Sequence, residues 1–182
     1  MTTSEYLRSE ETVLPTELAY GVLRVAESPT PSHQRVVRDL TIALTLFANE
    51  RRLGEVLPAP MDVILDYDAA LVVQPDVLFV AAGRLEIVSD RVHGAPDLAI
   101  EVLSPDVRVG SLRERLGWFA KYGVKECWLC DLPRREIIVL GLTQEGVESR
   151  TVFAGAAPVI SGVLGEVPLS ADSLFKSLNY GG

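Results

Sequence analysis

The residue of this sequence that most needs a chemical explanation is Glu101, an acid inside an apolar segment. It lies in the run Leu-Ala-Ile-Glu-Val-Leu over residues 98–103. A continuous apolar run without alternation predicts a strand that is covered on both faces of a sheet. Because an unpaired carboxylate in such a strand costs several kcal/mol, Glu101 must be protonated, paired with a cation or bound to a metal ion. A structural ion pair with an arginine and a metal site both satisfy this requirement.

Asp76 is the acid best placed to share a metal ion with Glu101, since it directly precedes a second apolar strand over residues 77–81. Asp97 is a rival, because it lies on the same face of the strand as Glu101. Four residues along a strand span about 13 Å, however, whereas metal–oxygen bonds measure ~2.0 to 2.6 Å. Asp97 and Glu101 therefore cannot easily share an ion. Asp76 reaches Glu101 if the two strands pair, which the connecting segment 81–96 is long enough to allow.

The elements that would position these acids alternate between helix and strand, which predicts an α/β fold. Thr30 and Pro31 indicate the start of a helix, as a cap followed by proline at the first helical position. The complete prediction comprises a hairpin over residues 17–27 that turns at Gly21, helices over 31–50, 111–122 and 170–177, strands near 54–59, 61–66, 77–81 and 97–103, and a second hairpin formed by 126–132 and 135–142, turning at Pro133-Arg134.

The helix over residues 111–122 carries two candidate catalytic cations, Arg115 and Lys121. At 100° per residue, its buried stripe comprises Leu112, Leu116, Phe119 and Ala120. Arg115 borders this stripe, whereas Lys121 lies on the opposite face and points to solvent. Arg115 either covers apolar surface with its stem or pairs with the carboxylates, and a pair would explain Glu101 without any metal.

His33 lies on the apolar stripe of the helix over residues 31–50, one turn before Val37. It is either a capping or core histidine, or a contact to a phosphate or a metal-bound water at the helix N-terminus, where exposed N–H groups favour anions.

The distribution of charge gives conflicting indications about whether the protein binds nucleic acid. A charge of −8 and a pI near 4.8 oppose a general nucleic-acid binder. Residues 107–125 differ, because five basic residues against Glu114 alone give this segment a net +4 and leave −12 elsewhere. The segment is either a basic rim beside an acidic site or a solvated helix face. Its basic residues are Arg108, Arg113, Arg115, Lys121 and Lys125.

Cys127 and Cys130 form a C-x-x-C pair that invites a zinc or redox interpretation. The sequence has no other cysteine and only two histidines, which is too few for an evident tetrahedral zinc site. The predicted strand also directs the two thiols to opposite faces. We therefore interpret both as packing residues.

The order of several short segments resembles that of a known superfamily. Pro75-Asp76, then Glu101, then a cation-bearing helix resemble the PD-(D/E)xK restriction-endonuclease-like superfamily, and within it the Uma2 family. The similar segments run over most of the chain and comprise Ser28-Pro29, residues 31–37, residues 73–76, residues 96–105 and residues 122–131.

This resemblance implies a single domain over residues 1–182 with a restriction-endonuclease-like mixed β-sheet flanked by helices. It implies a metal-dependent endonuclease that hydrolyses DNA, with Mg²⁺ or Mn²⁺ held by Asp76, Glu101 and the carbonyl of Val102. Arg115 would offset charge on the phosphate, and Gln74 would orient the attacking water. His33, Arg108 and Arg113 are weaker candidates for substrate contacts.

Three positions depart from the pattern of the family. Arg115 replaces its usual lysine, Ser111 an acid, and Val22 a glutamate after the glycine. Arginine cannot accept a proton, because its pKa exceeds about 12. A degenerate member that acts as a binding or assembly module is therefore the alternative. An enzyme acting on a small phosphorylated molecule is a third hypothesis, which a deep closed pocket would favour over an open groove.

The composition predicts a soluble, cytoplasmic protein. The sequence contains neither a membrane-spanning run of ~18 uncharged apolar residues nor a signal-peptide core at its start. Its hydrophobic content of 48% and mean hydropathy of +0.23 are high for 182 residues. Together with the resemblance, they predict a homodimer, with hairpin 126–142 and the tail as candidate surfaces.

Overall fold

The computed structural model describes residues 1–9, 14–103 and 111–181, and it shows a mixed α/β arrangement of sheets flanked by helices. The α-helices are α1 (Thr3–Leu7), α2 (Pro31–Arg51), α3 (Leu112–Tyr122) and α4 (Ala171–Leu174), and 3-10 turns cover Ala82–Ile87 and Phe175–Gly181. The strands are β1 (Thr16–Ala19), β2 (Val22–Val25), β3 (Gly54–Pro58), β4 (Val63–Asp66), β5 (Leu71–Val73), β6 (Val77–Ala81), β7 (Val92–His93), β8 (Leu98–Leu103), β9 (Glu126–Asp131), β10 (Glu136–Thr143), β11 (Gly146–Phe153), β12 (Val159–Ser161) and β13 (Gly165–Val167).

A six-stranded sheet in the order β11-β10-β9-β8-β6-β3 forms the centre of the fold. Strand β8 lies inside this sheet, antiparallel to β6 and parallel to β9. A five-stranded sheet has the order β2-β1-β5-β4-β7, and β12 pairs with β13 separately. Because β8 and β9 are parallel neighbours, the chain must cross over between them, and α3 lies in this crossover connection.

Both faces of the central sheet are buried. One face packs against α2 and the C-terminal helices, and the other packs against α3 and the five-stranded sheet. Cys130 belongs to the first core and Cys127 to the second, and neither forms a disulfide. The interpretation of these thiols as packing residues on opposite faces is confirmed. Burial on both faces also explains the continuous apolar run of β8.

The helices begin and end where local sequence signals indicate. The Thr30 hydroxyl caps α2 by accepting a hydrogen bond from the His33 N–H at 3.3 Å. The Ser111 hydroxyl caps α3 in the same way, accepting from the Glu114 N–H at 3.2 Å. Gly123 then ends α3 in the left-handed conformation, with φ of 96°, which glycine adopts without steric cost. Ser111, at the position where the resemblance predicts an acid, is therefore a helix cap.

The sequence-based prediction of the elements is incomplete, and one predicted surface is wrong. The prediction lacks α1, β5, β7, β11 and the small β12–β13 hairpin. Strand β11 is an edge strand whose central residues are exposed and polar, so it lacks the apolar pattern that predicts a strand. Hairpin 126–142 is mostly buried within the core, so it offers no apolar dimer surface. Exposed apolar residues include Val22, Leu23 and Val25 on β2, Ile42 and Leu46 on α2, and Ile160 in the tail.

Among the described residues, no helix combines the length and the apolar character that crossing a membrane requires.

Candidate active site

Pairing between β6 and β8 brings Asp76 and Glu101 together, as predicted. The antiparallel register places Val77 opposite Ile100, so Asp76 lies opposite Glu101 at the end of the ladder. The Val102 N–H donates a hydrogen bond of 2.7 Å to Asp76 Oδ2, which ties Asp76 to the neighbouring strand. The main-chain pairing of two strands thus holds two carboxylates side by side.

Arg115 connects Glu101 to a third buried carboxylate, Glu17 of β1. Its Nε donates to Glu101 Oε1 at 2.6 Å, and its Nη1 donates to Glu17 Oε1 and Oε2 at 2.7 and 2.8 Å. Arg115 is 7% exposed and Glu17 is 2% exposed. Of the two interpretations of Arg115 from the sequence, pairing with the carboxylates is confirmed, and the alternative of a residue that only covers apolar surface is wrong. Two carboxylates draw the guanidinium into the interior, where it also lies over the Phe119 ring at 5.5 Å.

The electrostatics of this cluster favour protonation of Glu101. Burial raises the pKa of Glu101 to about 8, and Asp76 and Glu17 add to the shift while Arg115 opposes it. Burial would lower the pKa of Arg115, but Glu101 and Glu17 outweigh this effect and raise it above its usual value. Three carboxylates share one permanent cation, so this cluster needs a further positive charge, from a proton or a metal ion.

His33, at the start of α2, contacts the other oxygen of Asp76. Its Nε2 lies 3.2 Å from Asp76 Oδ1, and the ring is buried. Within the described part of the chain, the buried His33 Nδ1 has no hydrogen-bond partner. His33 thus faces an acid of the site and is more than a helix cap. Its predicted contact to substrate phosphate or to a metal-bound water stays a prediction.

A second polar group surrounds Asp62 next to the acids. Asp62 Oδ1 accepts from Gln74 Nε2 at 2.9 Å and from the Tyr6 hydroxyl at 3.0 Å, and Asp62 Oδ2 accepts from Arg91 Nε at 3.0 Å. The Gln74 backbone N–H donates to Glu17 Oε1 at 2.6 Å, which joins the two groups. The Gln74 side chain therefore contacts Asp62, and its predicted role in orienting a water stays a prediction.

A pocket of about 590 Å³ contains both groups and is strongly acidic. Its described lining includes five carboxylates against two arginines, Arg91 and Arg115. The carboxylates belong to Glu17, Asp62, Asp76, Asp90 and Glu101. Such a pocket repels an anionic phosphodiester and attracts divalent cations.

The remaining predicted site residues lie in different environments. Arg113 is exposed on the first turn of α3, and Arg108 lies outside the described residues. Val22 is exposed on β2. Lys125 pairs with Asp97 at 2.7 Å. The interpretation of residues 107–125 as a basic rim is therefore wrong for Arg115 and Lys125, whose charges are already balanced by carboxylates.

No group of three or more His, Cys, Asp or Glu side chains in the described ranges is arranged to hold a metal ion. The ligand set predicted for Mg²⁺ was different, namely two carboxylates, a backbone carbonyl and several waters.

Glu17 and Asp62 are the site residues that sequence reasoning missed. Glu17 lies in the strand Thr16–Ala19, whose four residues are all buried. The sequence around it lacks the unbroken apolar run that marks Glu101, so its burial becomes evident only in the fold. Asp62 precedes β4 in an irregular segment and has no comparable pattern.

Comparisons with known proteins identify the family and the fold of the chain. The sequence profile of the Uma2 family, described as "Putative restriction endonuclease", matches residues 3–170. A solved structure, a "putative nuclease belonging to DUF820" from Anabaena variabilis, superimposes with a TM-score of 0.80 at 20% identity, covering 98% of this chain and 99% of the other. No curated protein matches the sequence. The predicted restriction-endonuclease-like fold is confirmed.

Proposed function

Since this chain belongs to the Uma2 family of restriction-endonuclease-like proteins, we propose that it is a metal-dependent nuclease that hydrolyses phosphodiester bonds in DNA. The observation that carries the proposal is the meeting of Asp76 and Glu101 on paired strands, in a pocket whose acids outnumber its cations. Structural ion pairs normally balance their charges, whereas a site for a divalent cation leaves an excess of carboxylate.

The donor set fits Mg²⁺ or Mn²⁺, which prefer carboxylate and carbonyl oxygens. Asp76, Glu101 and the carbonyl of Val102 would hold the ion. When bound, it would supply an activated water and offset the negative charge of the phosphate. Burial is the main cause of the raised pKa of Glu101, and Asp76 and Glu17 add to it, so a nearby positive charge would offset the repulsion among these carboxylates.

The protein side chains have separate tasks in this mechanism. The contacts of Arg115 with Glu17 and Glu101 offset its charge, so it positions Glu101 more than it attracts phosphate. Because a guanidinium stays protonated, it cannot take the proton of the attacking water. The Val102 N–H and His33 hold the two oxygens of Asp76 in a fixed orientation. Arg115 therefore acts through Glu101, as a positioning residue.

Titration calorimetry with Mg²⁺ and Mn²⁺, combined with plasmid nicking, tests the proposal. We expect wild type to bind the ion and to nick DNA, and Asp76→Ala and Glu101→Ala each to abolish both. Asp68→Asn, an exposed acid in the β4–β5 turn, is the control and should behave as wild type. Unchanged metal binding in both alanine variants would contradict the site. Metal binding without nicking would favour the alternative, a degenerate family member that serves as a binding or assembly module.

The pocket volume supports a second candidate, an enzyme that acts on a small phosphorylated molecule. About 590 Å³ lies within the range of roughly 300–1,000 Å³ that is typical of small-ligand sites. Hydrolysis of a small phosphodiester such as bis(p-nitrophenyl) phosphate, in a preparation that leaves plasmid and oligonucleotides intact, would favour this candidate over the nuclease.

The homodimer belongs to the same proposal. Exposed apolar residues on the edge strand β2 support it, because an unpaired apolar edge favours association. Light scattering at micromolar concentration should give about twice the monomer mass of 19.8 kDa, and a mass equal to the monomer would rule the dimer out.

A further inference from the structure

The polar group around Asp62 occupies the part of the pocket beyond the two candidate metal ligands. Arg91, Asp62 and Gln74 form a chain of hydrogen bonds that continues through Glu17 to Arg115. None of these three side chains contacts Asp76 or Glu101 directly through a hydrogen bond. The group is therefore adjacent to the candidate metal site and distinct from it.

Two groups in this cluster retain hydrogen-bonding capacity toward the pocket. Arg91 uses Nε for Asp62 and Nη1 for the Asp90 carbonyl, at 3.0 and 2.8 Å. Gln74 uses its Nε2 for Asp62. Within residues 1–9, 14–103 and 111–181, the structure shows no hydrogen bond to Arg91 Nη2 or to Gln74 Oε1. Arg91 and Gln74 both line the pocket, and their shared partner Asp62 holds them in one network, with one donor and one acceptor left over.

The charge of the cluster excludes a free anion as its ligand. Asp62 balances Arg91, and the carboxylate of Asp90 adds a further negative charge nearby. A phosphate placed here would meet a net negative environment. The neighbouring wall is apolar, with Leu7, Pro60 and Met61 among its residues. A flat, neutral ligand with a donor and an acceptor on one edge suits these surroundings.

We propose that Arg91 and Gln74, held by Asp62 and Tyr6, form a subsite for one unpaired nucleobase of the substrate strand. The proposal rests on the nuclease function above, and it specifies the substrate class as DNA with an unpaired nucleotide at the cleavage site. Arginine and glutamine are side chains that bind base edges through paired hydrogen bonds. A base enters a pocket of this kind only after leaving the duplex stack, which costs least where the strand is already unpaired.

The test uses nucleosides without phosphate, so that binding depends on neither metal nor hydrolysis. Chemical-shift titration by NMR should show deoxynucleosides binding to wild type more strongly than inorganic phosphate. Arg91→Lys keeps the charge but removes the guanidinium and its unpartnered Nη2 donor, so binding should weaken about 10-fold. Arg84→Lys is the matched control, because Arg84 is also 34% exposed and paired with an aspartate, but lies outside this pocket. It should bind as wild type does.

A second variant and a kinetic measurement guard against a folding artefact. Gln74→Met removes the acceptor at similar volume and should also weaken nucleoside binding, with the melting temperature recorded for each variant. In Mg²⁺, wild type should cleave a single-stranded oligonucleotide in preference to the blunt duplex of the same sequence, and Arg91→Lys should raise KM more than it lowers kcat.

The possible results separate this proposal from the nuclease function. Nucleoside binding that depends on Arg91, without cleavage of any DNA, would contradict the nuclease function and support the subsite as a nucleobase site. Cleavage of duplex and single strand at equal rates, or nucleoside binding that Arg91→Lys and Gln74→Met leave unchanged, would overturn the subsite. A wild-type protein that binds phosphate but no nucleoside would overturn it as well.

Discussion

The two ends of β8 carry buried acids that differ sharply in their electrostatics. Asp97, just before the strand, accepts from Lys125, Arg84 and the Ala81 N–H at 2.7, 3.0 and 2.9 Å. Burial alone would raise the pKa of Asp97, but these donors together lower it below its usual range. At the other end, burial raises the pKa of Glu101 to about 8.

The balance between cations and carboxylates explains this difference. Asp97 has two cations to itself, whereas Glu101 shares Arg115 with Glu17 and lies beside Asp76. The cations around Asp97 are sufficient to balance its charge, as in a structural ion pair. The carboxylates around Arg115 outnumber it and need a further proton or cation to balance their charge, which is the property expected of a binding site.

Removing the cation from each cluster should give the largest contrast. Arg115→Ala leaves Glu17 and Glu101 buried without a partner, so we expect it to lower the free energy of unfolding by ~3 to 5 kcal/mol. Lys125→Ala removes a cation that is 61% exposed, so its cost should be at most about 1 kcal/mol. Urea denaturation at pH 7 measures both. Equal costs would show that the two clusters do not differ as described.

Neutralising Asp97 should destabilise the protein, whereas neutralising Glu101 should not. Asp97→Asn weakens hydrogen bonds from charged donors, so we expect a loss of roughly 1 to 3 kcal/mol. Glu101→Gln removes a charge that the folded state disfavours, so the stability of the metal-free protein at pH 9 should not fall. Thermal unfolding in a chelating buffer compares the two variants. A marked loss of stability in Glu101→Gln would indicate that Glu101 is a structural ion-pair partner.

Removing the histidine contact should reduce metal affinity. Without the His33 ring, Asp76 Oδ1 loses its neighbour, and partners of metal ligands typically contribute about 10-fold or more to affinity. We therefore expect His33→Ala to weaken Mg²⁺ binding in calorimetry and His33→Gln, which retains a donor, to restore part of it. His93→Ala is the control, since His93 contacts Asp90 in an exposed pair. Similar losses in both alanine variants would argue against a specific role for His33.

The pH dependence of stability should carry the signature of Glu101. The folded pKa of about 8 lies above the unfolded value, so between about pH 5 and 8 the folded state binds more protons than the unfolded state. Stability of the metal-free protein should fall as pH rises through this window, with a slope of at most ~1.4 kcal/mol per pH unit. Glu101→Gln should flatten this dependence. Urea midpoints measured from pH 5 to 9 test it, and an unchanged slope in the variant would contradict the assignment.

Local signals in the sequence determined the helices, the central strands and the two candidate metal ligands. The cap at Thr30 and the periodicity of the helices reflect interactions within a few residues, so they can be recognised without the fold. The cost of a carboxylate in an apolar strand identified Glu101 in the same way. The position of Asp76 before a second apolar strand identified it as the partner, and resemblance to a family supplied the nuclease hypothesis.

Only the tertiary structure decided which groups share charge at the site. Glu17 and Arg115 are 98 residues apart, and their contact depends on packing between the two sheets and α3. No local pattern encodes such a contact, because burial and Coulomb energy depend on every group that the fold brings near. The same reason explains why the sequence left two interpretations of Arg115 open, whereas the fold places it between two carboxylates. Whether an acid forms a structural ion pair or stays available for binding therefore depends on how many cations and carboxylates the fold places around it.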